Sequence, residues 1–481
     1  MARSYDAQAP LPAGDSLHEA CGVVGIYAPG TEVARHAYFG LYALQHRGQE
    51  SAGIAVSDGA TIVCHREMGL ISSIFDEEIL GNLTGYIAVG HTRYSTTGSS
   101  IVVNAQPLLE RAAFGDLTLA HNGNLTNTEE LRGTLQAATV LQATSDSEVL
   151  AKAIVQAPGP DLTARIRYVM ARAEGAYSVV MSTEKALYAF RDPWGVRPLC
   201  YGRFPGGGYM FASESCALAT VGAEYVRELD PGEVMWIDDE GLHVDKIPAP
   251  KPQALCMFEY IYFARPDSVL KDHSIYMARL EMGRQLAREH PADADVVMAV
   301  PDSAIPGGIG FSQEAGLPYV EGLIKNRYIG RTFISPDQSM RARGVHLKFN
   351  PIVELLEGRR VIVVDDSIVR GTTTPRIVKL LRDAGAREVH VRITSPPIVH
   401  PCYLGVDMAT HDELIAANFT VDQIREKIGA DSLGYLSKEG LLRAVGRKRG
   451  EMCLGCLTGE YPETYNGPPV YEKDAVATAP A

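Results

Sequence analysis

Cys21 stands where a polar leader gives way to the apolar run Gly22-Val23-Val24-Gly25-Ile26. A cysteine that begins a mature chain carries a thiol nucleophile and an α-amine together. The amine titrates at about 7.7–8.0, so near neutrality it can take the thiol proton directly or through one water. On that chemistry residues 1–20 read as a propeptide cut between Ala20 and Cys21. A buried structural cysteine is the other reading of a lone Cys-Gly pair, and the residues downstream weigh against it. Arg93, within Gly90-His91-Thr92-Arg93-Tyr94-Ser95-Thr96-Thr97-Gly98, sets a guanidinium among hydroxyls at a strand end. Its planar fork suits a bidentate grip on a free α-carboxylate. His121-Asn122-Gly123-Asn124 follows another strand and offers a side-chain amide and a backbone N–H, a pair able to hold an oxyanion. Asp146, in Thr144-Ser145-Asp146-Ser147-Glu148, can hold a substrate ammonium.

A second set of reactive groups lies far downstream. Val361-Ile362-Val363-Val364-Asp365-Asp366-Ser367-Ile368-Val369-Arg370-Gly371-Thr372-Thr373 is an apolar strand, two acids and a Gly/Thr turn. A helix is predicted next, with Pro375 in its first turn, Ile377, Leu380, Leu381 and Ala384 as the buried stripe, and Gly385 at its end. Hydroxyls and N–H groups at a helix N-terminus make an anion site, and paired carboxylates can hold ribose hydroxyls and Mg²⁺. Cys453-Leu454-Gly455-Cys456 is a C-x-x-C pair, which alone fits zinc, redox chemistry or neither.

These groups need elements to position them. At 481 residues, 46% hydrophobic and 21% charged, the chain has room for two or three domains. Its net charge of -13 excludes a general nucleic-acid binder, though not a phosphate-bearing substrate. No apolar stretch is long enough for a membrane span and the leader has no secretory core, so a cytoplasmic protein is expected. Short β-rich runs fill the first half: Gly85–Val89, Leu117–Ala120, Ala176–Met181 and Ala186–Phe190. The proline-rich run from Ile247 to Pro252 reads as a connector. Beyond it, Val296–Val300, Tyr319–Gly322, Val361–Val364 and Val389–Ile393 alternate with helical patterns, which implies a parallel sheet with crossover helices. Expected bounds are 1–20 for the propeptide, 21–250 and 251–460 for two domains, and 461–481 for a flexible tail.

The Cys21, Arg93, Asn122-Gly123 and Asp146 motifs, with Arg191-Asp192-Pro193-Trp194-Gly195-Val196-Arg197-Pro198, resemble the class II glutamine amidotransferases. That resemblance implies an N-terminal nucleophile α+β four-layer sandwich. It casts Cys21 as nucleophile and base, Arg93 on the substrate carboxylate, Asn122 and Gly123 as the oxyanion hole, and Asp146 on the substrate amine. Val361–Thr373 resembles the phosphoribosyl pyrophosphate (PRPP) motif of type I phosphoribosyltransferases, an α/β fold with a parallel sheet. There the resemblance gives PRPP to Asp365, Asp366, Arg370, Gly371, Thr372 and Thr373, with Mg²⁺ on Ser303, Asp365 and Asp366. Pro301-Asp302-Ser303-Ala304-Ile305-Pro306 matches that family's pyrophosphate loop. Lys325 and Tyr328, in Lys325–Phe333, match its flexible catalytic loop.

Both domains in one chain, in this order, resemble the glutamine phosphoribosylpyrophosphate amidotransferase family. The resemblance, which takes in Glu259-Tyr260-Ile261-Tyr262-Phe263 and the residues after it, runs from Cys21 to about Glu460. It implies glutamine + PRPP + water → 5-phosphoribosylamine + glutamate + pyrophosphate, the first committed step of purine synthesis, with ammonia channelled between domains. It also implies purine nucleotide inhibitors (AMP, GMP, ADP, GDP) and a homotetramer. Cys256, Cys402, Cys453 and Cys456 fall where the family's iron–sulfur branch has the four ligands of a [4Fe–4S] cluster, with Zn(Cys)₄ as the alternative. Cys64, Cys200 and Cys216 are expected to be ordinary buried thiols. Two other functions are compatible with parts of this pattern: a class II amidotransferase with a different acceptor, against which the PRPP motif speaks, and a purine-responsive regulator, which would lack the Cys21 half.

Overall fold

The computed structural model describes residues 21–94, 100–248, 253–326, 349–406 and 410–462. The expected propeptide, most of the proline-rich connector, the loop carrying Tyr328 and nearly all of the tail lie outside these residues.

Alternation of apolar side chains builds the first half. In the strand Gly22–Tyr27, Val23 and Tyr27 face one way and Val24 and Ile26 the other, and all four are buried. Such a strand must be covered on both faces. It lies within a seven-stranded antiparallel sheet, in the spatial order Glu224–Glu228, Cys200–Arg203, Tyr209–Ala212, Gly22–Tyr27, Ile87–Arg93, Ser51–Ser57, Ile62–Met68. A six-stranded antiparallel sheet faces it: Gly241–Lys246, Glu233–Asp238, Leu187–Arg191, Gly175–Thr183, Gly115–Leu125, Leu108–Ala112. Val23, Val89, Val180, Leu187 and Phe211 fill the space between the sheets. Outside the first sheet, Val24, Ile26 and Ile54 pack with Ala37 and Leu41 of the helix Val33–Ala43. Outside the second, Leu117, Leu119 and Val179 pack with Leu150 and Ile154 of the helix Asp146–Gln156. The result is helix, sheet, sheet, helix: the four layers expected.

The second half is wound around a parallel sheet of Val296–Ala299, Arg360–Asp365, Glu388–Ile393 and Ser432–Tyr435. Its first three strands are buried on both faces, which is why they read as unbroken apolar runs. Val297, Ile362 and Val364 meet the helices Ile275–Glu289 and Ile305–Ala315, while Val296, Met298, Val361 and Val363 meet Thr374–Asp383 and Val421–Ile428. The helix Thr374–Asp383 ends as expected, with Gly385 N–H on Arg382 O (2.9 Å) and Ala386 N–H on Leu381 O (3.1 Å).

Three local features differ from the sequence reading. Tyr319–Gly322 is not a ladder strand, and Tyr319 makes a single parallel bridge to Val297. Ser432–Tyr435, half polar and short, is nonetheless the fourth parallel strand. The run His121–Asn124 does not follow a strand; it lies inside Gly115–Leu125, paired along its length with Gly175–Thr183.

Candidate active sites

Cys21 sits one residue before Gly22, whose ladder partner is Thr92, so the register brings the thiol beside Arg93. The Cys21 Sγ–H donates to Tyr94 O at 3.4 Å. Burial pushes the thiol pKa up, and the Tyr94 contact and the Arg93 guanidinium pull it down. Glu50 and Asp146 are its other charged neighbours, both acting to raise it. Burial wins, so this thiol needs a base to ionise near neutrality.

Across the sheet interface, Asn122 is fully buried, and neither of its amide atoms has a hydrogen-bond partner among the described residues. Asp146 opens the helix Asp146–Gln156 and accepts from Leu125 N (3.0 Å) and from Ser147 Oγ (3.3 Å). Its carboxylate is thereby fixed to the end of the strand bearing Asn122 and Gly123. Gln106 bonds His121 N (2.7 Å) and Ser147 Oγ (3.1 Å), and His91 Nε2 donates to His121 O (3.0 Å). Strands from both sheets and one helix therefore hold these groups in fixed relation. Three sequence-predicted positions meet here by charge, Cys21, Arg93 and Asp146, while Asn122 lies on the strand whose end Asp146 binds.

The second site lies at the carboxyl edge of the parallel sheet, where open α/β sheets bind ligands. Val296–Ala299 and Arg360–Asp365 are neighbouring strands, so the loops after them adjoin. Ser303 Oγ donates to Asp366 Oδ2 at 2.5 Å, joining the two loops. Asp366 accepts from Ser367 Oγ (2.7 Å), and Asp365 Oδ1 accepts from Asp366 N (2.9 Å). Burial raises the Asp366 pKa, against the hydrogen bonds from Ser303 and Ser367 and the charge of Arg279. Hydroxyl and carboxylate oxygens are the donors that Mg²⁺ prefers, so the set fits the metal. Lys325 reaches Asp302 (2.5 Å) from the strand Leu323–Lys325, and Arg370 reaches Glu413 (3.7 Å). Arg370, Gly371, Thr372 and Thr373 lead into the helix Thr374–Asp383, whose N-terminal N–H groups favour an anion.

The four cysteines meet at the boundary between the halves. Cys256 and Cys453 are partners in a two-stranded parallel ladder, and the N–H groups of Val399 and His400 bond Cys456 O at 3.0 and 3.1 Å. Cys256 and Cys402 both act electrostatically on Cys453 and on Cys456. Burial pushes Cys256 up to about 12 and Cys456 well above its usual value, and the buried Arg197 guanidinium opposes this at Cys256. Four soft donors beside a buried cation fit a group of negative charge. Among the described residues, no three Cys, His, Asp or Glu side chains close on a point at single-ion distances. Cys200 and Cys216 are buried as expected; Cys64, on the edge strand Ile62–Met68, is only half-buried.

Comparison with known proteins agrees with this geometry. Residues 91–220 match the glutamine amidotransferase domain family and 267–394 the phosphoribosyl transferase domain family. Amidophosphoribosyltransferase of Synechococcus elongatus is 53% identical over 96% of this chain and 95% of its own length. That of Methanocaldococcus jannaschii is 48% identical over 93% of this chain and 98% of its own. The chain belongs to the amidophosphoribosyltransferase family. The structure of glutamine PRPP amidotransferase from B. subtilis, complexed with ADP and GMP, superposes with a TM-score of 0.88 at 46% identity, covering 92% of this chain and 98% of that one. A structure described as the allosteric regulatory enzyme of purine biosynthesis gives 0.88 at 47%, covering 92% and 96%.

As a member of the amidophosphoribosyltransferase family, the chain is a transferase of the first step of purine biosynthesis, and nothing favours a different acceptor. No described helix is long and apolar enough to cross a membrane. A buried ionic network also joins the two halves. Buried Arg47 bonds both Glu214 and Glu259 (Nη1–Oε1 3.3 Å), and His46 Nε2 and Ser268 Oγ each reach Glu214 at 2.7 Å. Buried Arg279 binds Tyr260 O (2.9 Å) and Ala264 O (2.8 Å) beneath Asp366. Glu259 and Ser268 lie in a motif read from the sequence, but the pairing itself is not legible there, since partners hundreds of residues apart leave no spacing to read.

Proposed function

We propose that the chain makes 5-phosphoribosylamine through two separate half-reactions on the residues above, and that its mature form begins at Cys21. The free α-amine of Cys21 takes the thiol proton, and the thiolate attacks the glutamine amide carbon. Arg93 grips the substrate carboxylate, Asp146 its ammonium, and Asn122 Nδ2 with Gly123 N–H receives the developing oxyanion. The amine returns its proton as ammonia leaves, and water hydrolyses the glutamyl thioester. Ammonia then crosses the interior to PRPP, because in solvent it would be protonated and lost.

PRPP lies with its 5′-phosphate on Arg370–Thr373, its ribose hydroxyls on Asp365 and Asp366, and its pyrophosphate on Ser303, Lys325 and Tyr328. Ser303, Asp365 and Asp366 would hold Mg²⁺, which supplies charge neutralisation of the pyrophosphate. Purine nucleotides (AMP, GMP, ADP, GDP) compete by placing a phosphate in the same cradle, a reading supported by ADP and GMP in the B. subtilis structure. Cys256, Cys402, Cys453 and Cys456 would hold a [4Fe–4S] cluster. A cytoplasmic homotetramer, with domains over 21–250 and 251–460, completes the proposal.

The observation carrying this reading is the convergence of Arg93 and Asp146 on the Cys21 thiol. Pyrophosphate release, assayed with glutamine and with ammonia, tests it. Cys21→Ala should lower glutamine-dependent synthesis by more than about 10³-fold and leave ammonia-dependent synthesis intact. Asp366→Asn should impair both. Folded, PRPP-binding Cys21→Ala without ammonia-dependent activity would refute the division.

A further inference from the structure

The oxyanion strand is touched from an unexpected side. Gly123 has φ +152, and a Cβ there would lie 1.9 Å from Ala176 O, so its peptide is pressed flat on the neighbouring strand. Gly405, from the second half and at φ +90, also approaches it. A Cβ on Gly405 would come within 2.8 Å of the Gly123 carbonyl carbon and 3.2 Å of Asn124 N. The Gly123–Asn124 peptide is thus closely approached by both.

The same short segment makes three hydrogen bonds to the first half. Asn124 Nδ2 donates to Tyr403 O at 3.0 Å, and Arg197 donates to Leu404 O from Nε (3.0 Å) and Nη2 (2.8 Å). Arg197 is fully buried, and its own carbonyl accepts from Ser178 Oγ at 3.0 Å. Ser178 is the ladder partner of Asn122. One arginine therefore joins the segment to the residue opposite the unpaired amide. The segment begins at Cys402, whose sulfur accepts from Leu404 N at 3.4 Å.

We propose that Cys402–Val406 is a positioning element of the glutamine-hydrolysing site, with Gly405, Asn124 and Arg197 as its positioning residues. It sets the Asn122–Gly123 donors from the second half of the chain. The proposal rests on the reading of Asn122 and Gly123 as the oxyanion hole. An oxyanion is present in the transition state and absent from bound glutamine, so a displaced donor lowers kcat and leaves KM near its value. Displacement by about 1 Å can cost ~10²-fold.

Gly405→Ala and Asn124→Ala test this in the full-length chain, prepared without oxygen. Four quantities are measured: glutamine hydrolysis, ammonia-dependent synthesis, thermal midpoint, and the rate at which iodoacetamide alkylates Cys21. Gly405→Ala should lower kcat for glutamine by at least about tenfold, with KM within about twofold. Ammonia-dependent synthesis and Cys21 alkylation should match the unsubstituted chain, because neither uses the oxyanion donors. Asn124→Ala adds no bulk and should change the same parameter in the same direction, which decides the matter if Gly405→Ala lowers the midpoint. Loss of both activities in step with the midpoint in Asn124→Ala, or an unchanged kcat in both variants, overturns the proposal. Glutamine hydrolysis surviving in Cys21→Ala would instead overturn the underlying reading of the site.

Discussion

Asn122 buries a carboxamide whose nitrogen and oxygen both lack partners among the described residues. Each such group costs about 1–3 kcal/mol, and a folded chain keeps one where a ligand will complete it. Asn122→Leu, similar in shape and free of that cost, should therefore separate stability from catalysis. Glutamine hydrolysis should fall about 10²–10³-fold, while the thermal midpoint stays level or rises. A midpoint that falls with activity would mark Asn122 as a structural residue. Cys21 poses the complementary problem: burial raises its thiol pKa, and Arg93 and the Tyr94 contact oppose this. With the Cys21 nitrogen in a peptide bond, the α-amine can no longer take the thiol proton. Intact mass and N-terminal sequencing of active protein should find Cys21 first, and active protein retaining residues 1–20 would contradict the mechanism.

At the scale of strands and helices, legibility follows from whether burial leaves a periodic mark. Val361–Val364 and Val389–Ile393 are buried on both faces and were readable as strands, whereas Ser432–Tyr435 is short, half polar and last in its sheet. Arg93, Asp146, Asp365 and Asp366 stand out as candidates in the sequence because each lies in a motif at a strand or helix end. The contacts that hold them were not, since Gln106, His91 and Arg197 meet their partners only after both sheets have formed. His91 shows what such a contact implies for pH. Its Nε2–H donates to His121 O, an acceptor only, which fixes the neutral tautomer between the two sheets. Burial depresses its pKa from 6.5 to about 3, assisted by Arg93 and His121 and opposed by the carbonyl bond. Between these values the unfolded chain binds more protons, so stability from His91 is complete above pH 6.5 and is lost as pH falls, by up to about 1.4 kcal/mol per unit. The unfolding midpoint should drop between pH 7 and 5.5, and His91→Gln, which keeps a donor for His121 O, should flatten that drop. An unaltered slope would exclude His91 as its source.

Across the whole molecule, the two halves share a buried boundary: Ala176 and Val196 of the first half lie in one core with Phe258, Leu404 and Leu457 of the second. Arg47 with Glu214 and Glu259 crosses the same boundary, a paired buried network in which removing one partner leaves a charge unmet. The four cysteines add a covalent possibility there, because Cys256 marks the junction, Cys402 lies between the third and fourth parallel strands, and Cys453 and Cys456 precede the tail. A single group bound by all four would close long loops and restrict the unfolded chain. Since burial raises the thiols of Cys256, Cys453 and Cys456, binding must displace their protons, and acid should favour release. Protein purified without oxygen should be brown and contain about four iron and four acid-labile sulfide per chain. Cys256→Ser should lose both together, and loss of the cluster in air should loosen residues 399–406 and 452–461 before the parallel sheet, as read by hydrogen exchange. One zinc per chain without labile sulfide would replace the cluster with a Zn(Cys)₄ site, and equal protection of those segments with and without iron would remove its structural role.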